Sequence, residues 1–431
     1  MRVALWFLGL FGVAVALALF ASSNTGTITV FWPPHRVDLS LNMVVLLLGL
    51  LFILIHVALK ALSALFALPG QARSWRMRHQ ERAMHAALLE ALSHLVAGRF
   101  LRARKAAHTV LAREAALTQS GEVWPDATRL RVLANLLAAE SSQSLQDRQA
   151  RELHFQQALS QATGNDASGT RDGLLLRAVH WALEDMDSAA ALAWLDQLPS
   201  GVARRTVALR LRLKVAQMAG KTGLAMETAR LLAKHRAFSE LSAKGLLRSL
   251  AQDWIGSAHD TDQLQVVWRQ LEPNEQSLPE VACAASGRWL RLGGAARTAF
   301  EWLLPVWQRL VSAPESLSQD QKIMLVRVME NGFSATEDAI DAQWLSRIEQ
   351  AQRADPGDAV LQYLAGVACV HLQLWGKAHQ LLQLAVARLE DAGLQTRAWQ
   401  MLAELAQRQG NEAEAAAAWR SAAQVRLRRK S

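Results

Sequence analysis

Two apolar runs at the start of this chain, each as long as a bilayer is thick, constrain it more than any local motif. Residues 3–21 read VALWFLGLFGVAVALALFA without a charge, and residues 41–59 carry only Asn42 and His56 as polar interruptions. At about 1.5 Å rise per residue each run crosses a hydrocarbon core of about 30 Å. An open chain satisfies its backbone hydrogen bonds there only as helix. The expectation is an all-α protein with two transmembrane helices in residues 1–68. A basic juxtamembrane segment, 69–83, and a helical body, 84–431, follow.

Basic residues set the orientation. Between the runs there is only Arg36, whereas Lys60, Arg73, Arg76, Arg78 and Arg82 follow the second run and Arg2 precedes the first. Positive flanks stay cytoplasmic. Both ends and the body are therefore expected inside a bacterial inner membrane, with a short loop outside. A cleaved signal peptide is the rival reading of the first run, but it is long for an apolar signal core of about 7–15 residues. Net charge is +9, and its clustering beside the second run points to anionic lipid as a partner, each basic residue gaining about 1 kcal/mol there. Arg73, Arg76, Arg78 and Arg82 are the expected membrane-surface patch. No basic strand interleaved with aromatics appears, so nucleic acid is not an expected partner.

The loop reads as a small β-hairpin. TGTITVFW at 25–32 alternates, Pro33 and Pro34 punctuate, and Val37, Asp38 and Leu39 alternate again. Cys283 and Cys369 are the only cysteines, too few for a disulfide framework and suited to a reducing compartment.

From Met84 onward helical patterns recur with short breaks, which is the signature of a helical-repeat array. Trp399, Leu402, Ala403, Ala406, Gly410, Ala415, Trp419 and Ala422 reproduce tetratricopeptide spacing. The preceding unit supplies Leu364, Gly366, Cys369, a Trp375-Gly376 turn, Ala378, Leu382 and Ala385. Weaker copies surround Gly98, Trp181 and Gly220, and the pattern is faintest around 238–320. Small residues let paired helices approach, large ones fill the gap to the next pair, and glycine takes the turn. One pair cannot bury its own face, so neighbours must stack into a solenoid. Of fifteen Trp, against one Tyr, Trp181, Trp194, Trp254, Trp268, Trp289, Trp302, Trp307 and Trp344 recur within helical patterns and are expected as wedges between helices, while Trp6 and Trp32 are expected near the membrane interfaces.

Catalytic patterns are missing from the sequence. There is no strand-linked GxGxxG, no HExxH and no Cys-x-x-Cys, and Gly164-x4-Gly169 is followed by Thr170-Arg171 instead of Lys-Ser/Thr. No catalytic or metal-binding residue and no resident cofactor is expected; haem or protoporphyrin remains a possible bound ligand. Groove-facing candidates for partner binding are Arg210, Lys214, His371, Arg397, Gln400, Glu404 and Arg408.

The order of segments resembles the proteobacterial HemY family: a membrane hairpin in 1–68, the stretch RSWRMRHQER at 73–82, Ala97-Gly98-Arg99-Phe100, the 254–268 segment and the final repeats. That resemblance implies a membrane-anchored tetratricopeptide protein of late protohaem biosynthesis. It implies no catalytic residue, and the missing dinucleotide motif separates this chain from the flavin-dependent oxidase that shares the label. The expected function is a non-enzymatic scaffold whose groove organises haem-pathway enzymes. The alternative is an anchored assembly factor for lipopolysaccharide or the cell wall.

Overall fold

The computed structural model describes residues 2–23, 25–119, 126–163, 168–335 and 342–428. Two compact units divide the chain, residues 1–167 and 168–431. The first opens with α1 (Arg2–Ser23) and the antiparallel strands β1 (Thr27–Trp32) and β2 (His35–Ser40), which pair Thr27 with Ser40 and Trp32 with His35. The alternation seen in the loop sequence thus forms the hairpin it suggests. α2 (Leu41–Val96), α3 (Phe100–Gln119), α4 (Ala127–Ser144) and α5 (Arg148–Gln161) complete this unit.

α2 is one helix of 56 residues, capped at its start by Ser40 and about 84 Å long. The boundaries expected at 68 and 83 therefore fall inside a single helix. It continues through Pro69 and Gly70, which read as punctuation in the sequence. Among the described residues one segment, Leu41–Ser63, is apolar and long enough to cross a membrane, and none of it is buried. In α1 the apolar stretch is the shorter Trp6–Ala16. The side chains of residues 3–5, 17, 20 and 21, within the run 3–21, lie outside the described ones.

The second unit holds α6 (Ser168–Glu184), α7 (Ser188–Asp196), α8 (Ser200–Ala203), α9 (Thr206–Met218), α10 (Thr222–Lys234) and α11 (Glu240–Ser257). There follow α12 (Thr261–Gln270), α13 (Pro273–Gln276), α14 (Pro279–Arg291), α15 (Ala296–Ser312) and α16 (Gln319–Phe333). α17 (Ala342–Ala354), α18 (Ala359–His371), α19 (Trp375–Val386), α20 (Ala392–Arg408) and α21 (Glu412–Arg428) end it.

The repeat is written in the turns. Gly98, Gln146, Met186, Gly220, Gly293, Gln373 and Gly410 all have φ between 58° and 81°. Each stands between the two helices of a packed pair. Around each, the same two backbone bonds close the first helix: Gly98 N–H donates to Leu95 O at 3.0 Å and Arg99 N–H to His94 O at 2.8 Å. The equivalents at the fourth-helix turn are Gln146 to Gln143 and Asp147 to Ser142, both at 2.9 Å. This is the Schellman arrangement, which needs a left-handed residue after the helix. At three of these turns the residue that follows caps the second helix: Asp147 accepts from Ala150 N–H at 3.1 Å, Asp187 from Ala190 N–H at 2.9 Å and Asn411 from Glu414 N–H at 3.2 Å. In the unit before last, Gln373 and not Gly376 takes the left-handed position, since Trp375 already opens α19. The expected Trp375-Gly376 turn is corrected by that shift.

Small residues do what the spacing requires. A Cβ on Gly366 of α18 would lie 2.8 Å from Leu382 Cγ of α19, so glycine is what lets the two helices close. Ala225 and Ala229 of α10, and Ala378 and Ala385 of α19, are fully packed. Tryptophans fill the wider gaps: Trp268 stacks on Trp302 at 4.7 Å, Trp289 meets Trp302 edge-on at 5.0 Å, and Trp307 meets Trp344 at 5.9 Å. Such ring pairs add about 0.5–1.5 kcal/mol beyond the area they bury. Of the eight tryptophans expected as wedges, Trp181, Trp289, Trp302, Trp307 and Trp344 are buried, whereas Trp194, Trp254 and Trp268 are only partly so. Irregularity concentrates where the sequence pattern was faintest: Ala258 and Leu271 are extended, and the four-residue α13 interrupts the pairing.

Candidate functional site

In the second unit α11, α14 and α16 pack side by side as first helices of successive repeats. Their rims are laced by charge: Arg248 Nη1 donates to Glu280 Oε1 at 2.9 Å, and Gln321 Nε2 donates to the same oxygen at 3.0 Å. Between them runs a groove of about 480 Å³ floored by Ala284, Gly287, Leu290 and Val328. Gln252, Arg291, Met324 and Asn331 stand along its edges. Arg291 and Asn331 make no ion pair or side-chain hydrogen bond among the described residues, so a guanidinium and an amide are available to a guest. Cys283 also lines the groove, but burial, and then the neighbouring Glu280 charge, push its thiol up to about 12. It is therefore no nucleophile near neutral pH. An apolar floor with amide and guanidinium edges suits an extended or helical peptide segment.

The seven candidate groove residues divide into two sets. Arg210 and Lys214 lie on α9, and Arg397, Gln400, Glu404 and Arg408 share one stripe of α20. Three of the cations are already employed. Arg210 donates to Ala237 O at 2.9 Å and covers the Phe238 ring at 5.7 Å, pinning the turn after α10. Arg397 Nε lies 2.9 Å from Oε1 of Glu330, a carboxylate only 3% exposed on α16. Arg408 sits 4.6 Å over the Trp375 ring. Lys214 and Glu404 are exposed and Gln400 is half-buried. His371 ends α18 with its ring 6.1 Å from Phe333, and desolvation holds its pKa below the ordinary histidine value.

Around Glu330 the chain builds a polar core. Tyr363 is wholly buried, and burial, then the Glu330 charge, raise its phenol far above the usual range. Arg327 Nη2 donates to Asp391 Oδ1 at 2.7 Å, and that carboxylate also caps α20 through Leu394 N–H. These bonds tie α16 to the start of α20, with the Tyr363 ring of α18 packed beside them. Sequence reading missed Glu330 because nothing local marks a carboxylate as buried.

In the first unit, Arg76, Arg78 and Arg82 are exposed on α2, while the Arg73 side chain lies outside the described residues. Trp75, 67% exposed, stacks on His79 at 5.5 Å among them. Between α3 and α4 the buried Glu114 carboxylate accepts a bidentate pair of bonds from the partly exposed Arg131. His154 bonds Asn135 Oδ1 at 3.0 Å and meets His108 edge-on at 4.9 Å. Burial is the first cause that lowers both imidazoles, followed by the Arg104 charge at His108 and by the His108 and then the Arg104 charge at His154. Among the described residues no group of three His, Cys, Asp or Glu could hold a metal ion.

Residues 26–146 match the family model described as HemY protein N-terminus. A search of curated proteins finds no match. Among solved structures, the Cut9–Hcn1 hetero-tetramer of the APC/C is similar at 14% identity and a TM-score of 0.26, covering 81% of this chain and 67% of the other. The TPR domain of P58(IPK) is similar at 13% identity and a TM-score of 0.23, covering 76% of this chain and 99% of the other.

Proposed function

We propose that this chain, whose residues 26–146 match the model of the HemY protein N-terminus, is a HemY-type membrane-anchored scaffold for late haem biosynthesis. The observation that carries the scaffold role is the groove on α11, α14 and α16, a concave surface with unemployed polar edges and a chemically inert thiol. In this reading α1 and the 41–63 segment of α2 both cross the inner membrane. The asymmetry of Lys60, Arg76, Arg78 and Arg82 against the single Arg36 supports a cytoplasmic body. The basic α2 patch then meets anionic headgroups, and the repeats hold enzymes that pass on a hydrophobic, reactive porphyrin. Tethering acts through effective concentration: weak groove contacts add to whatever membrane affinity a partner possesses. No reaction step is assigned to the chain itself. Haem or protoporphyrin would be cargo of its partners.

Deleting the chain from its host tests the pathway. Porphyrin precursors should accumulate while lipopolysaccharide stays at its normal level. Normal porphyrins with altered lipopolysaccharide would instead support an assembly factor for the envelope.

A further inference from the structure

The first helix pair has two faces, and the chain covers only one of them. On the covered face Ala103, Ala107 and Val110 of α3 are buried together with Ala91 of α2 and Ala134 and Ala138 of α4. On the other face α2 and α3 enclose a groove of about 590 Å³. α2 contributes Ala83, Ala87, Glu90 and His94, and α3 contributes Arg102, Ala106, Thr109 and Arg113. Both sets follow the i, i+4, i+7, i+11 spacing of a single helix ridge. Two parallel ridges over an alanine floor form a seat for a third helix, which is how the next repeat is received on the covered face. The one earlier helix of this unit, α1, is about 33 Å long and joins α2 through the β-hairpin, about 63 Å along α2 from Ala83, so it does not reach the groove.

Charge selects the guest. Arg102 and Lys105 are exposed and form no ion pair among the described residues, and Arg113 is anchored by donating to Ala83 O at 2.9 Å. Glu90, the one carboxylate in the groove, lies 3.5 Å from His94. The α3 wall is thus a line of cations. Ala83 also stands about 30 Å along the helix axis from Ser63, where the apolar segment ends. From there the groove runs on away from the apolar segment as far as His94, and lipid occupancy is an outcome that the test below distinguishes.

We propose that this open end of the repeat stack docks an amphipathic helix of a partner protein, its small apolar face on the alanine floor and its acidic face along Arg102, Lys105 and Arg113. The site is separate from the groove on α11, α14 and α16, and its occupancy does not depend on which pathway the partner serves.

The test uses the full chain in neutral-lipid nanodiscs and two labelled synthetic helical peptides. They share one Ala/Leu face and carry Glu or Lys on the other. Fluorescence anisotropy should show the Glu peptide binding at least about tenfold more tightly, with affinity falling as salt rises. The double substitution Arg102→Glu and Lys105→Glu should abolish or reverse that preference, and Arg76→Glu with Arg78→Glu should leave it intact. Equal binding of the two peptides overturns the proposal, as does a preference unchanged by the α3 substitutions. Displacement of the Glu peptide when phosphatidylglycerol replaces the neutral lipid would assign the groove to lipid and overturn it as well.

Discussion

Replacing Arg397 by alanine should destabilise the C-terminal repeats by about 3 kcal/mol. The substitution leaves Glu330 almost fully buried with its ion-pair partner gone. Removing one member of a buried pair costs about 3–5 kcal/mol, because the remaining charge keeps its desolvation penalty without compensation. The lower end applies here, since the Arg397 side chain is itself half exposed. The asymmetry of the pair supplies the control. Glu330→Gln removes the charge and strands only an arginine that water can reach, so it should cost no more than about 1 kcal/mol. Adding Glu330→Gln to Arg397→Ala should then recover most of the loss. Hydrogen exchange of α16, α18 and α20 amides in the full chain reads this directly. Equal losses for the two single substitutions would show that Arg397 acts by packing, not by compensating Glu330.

Gly366→Ala should destabilise the α18/α19 pair by about 2 kcal/mol, against the usual helical preference. In an ordinary helix interior alanine is favoured over glycine by about 0.8–1 kcal/mol. Here the new methyl would sit 2.8 Å from Leu382 Cγ, 2.9 Å from its Cδ2 and 3.3 Å from its backbone nitrogen. Overpacking of this kind costs about 1–3 kcal/mol. Leu382→Ala removes the obstructing side chain at its own cost of about 2–5 kcal/mol. In that background Gly366→Ala should change sign and become stabilising by up to about 1 kcal/mol. Denaturant unfolding of the four proteins completes a double-mutant cycle. Additive effects would mean that the two helices do not meet at this contact.

Both results bear on how much the sequence could disclose. Gly98, Gly220 and Gly410 announced their turns because glycine alone takes φ above zero without strain. Gln146, Met186 and Gln373 adopt the same conformation, yet nothing in their side chains advertises it. The repeat was therefore legible at its C-terminal end and faint elsewhere. The continuity of α2 was hidden by Pro69-Gly70, a pair that normally signals a break. It emerges only once Met84 and Ala91 are seen buried against α3 and α4. The groove residues were the least legible. Arg397 looks like a free cation on a helix face until Glu330, contributed by a distant helix, is placed beside it. Conversely, Asn331 and Arg291 fall near or within the faintest stretch of the pattern, and only the adjacency of α11, α14 and α16 brings them to one groove.

The central claim is that the groove on α11, α14 and α16 holds haem-pathway enzymes against the membrane. A photo-crosslinking amino acid at Asn331, in the full chain expressed in its own membranes, tests it most directly when the crosslinked proteins are identified by mass spectrometry. Enzymes of late haem synthesis should be recovered from Asn331, and the same probe at the outward-facing Arg297, 90% exposed on α15, should recover none of them. Recovery of lipopolysaccharide or cell-wall factors alone from Asn331, or of the same proteins from both positions, would contradict it.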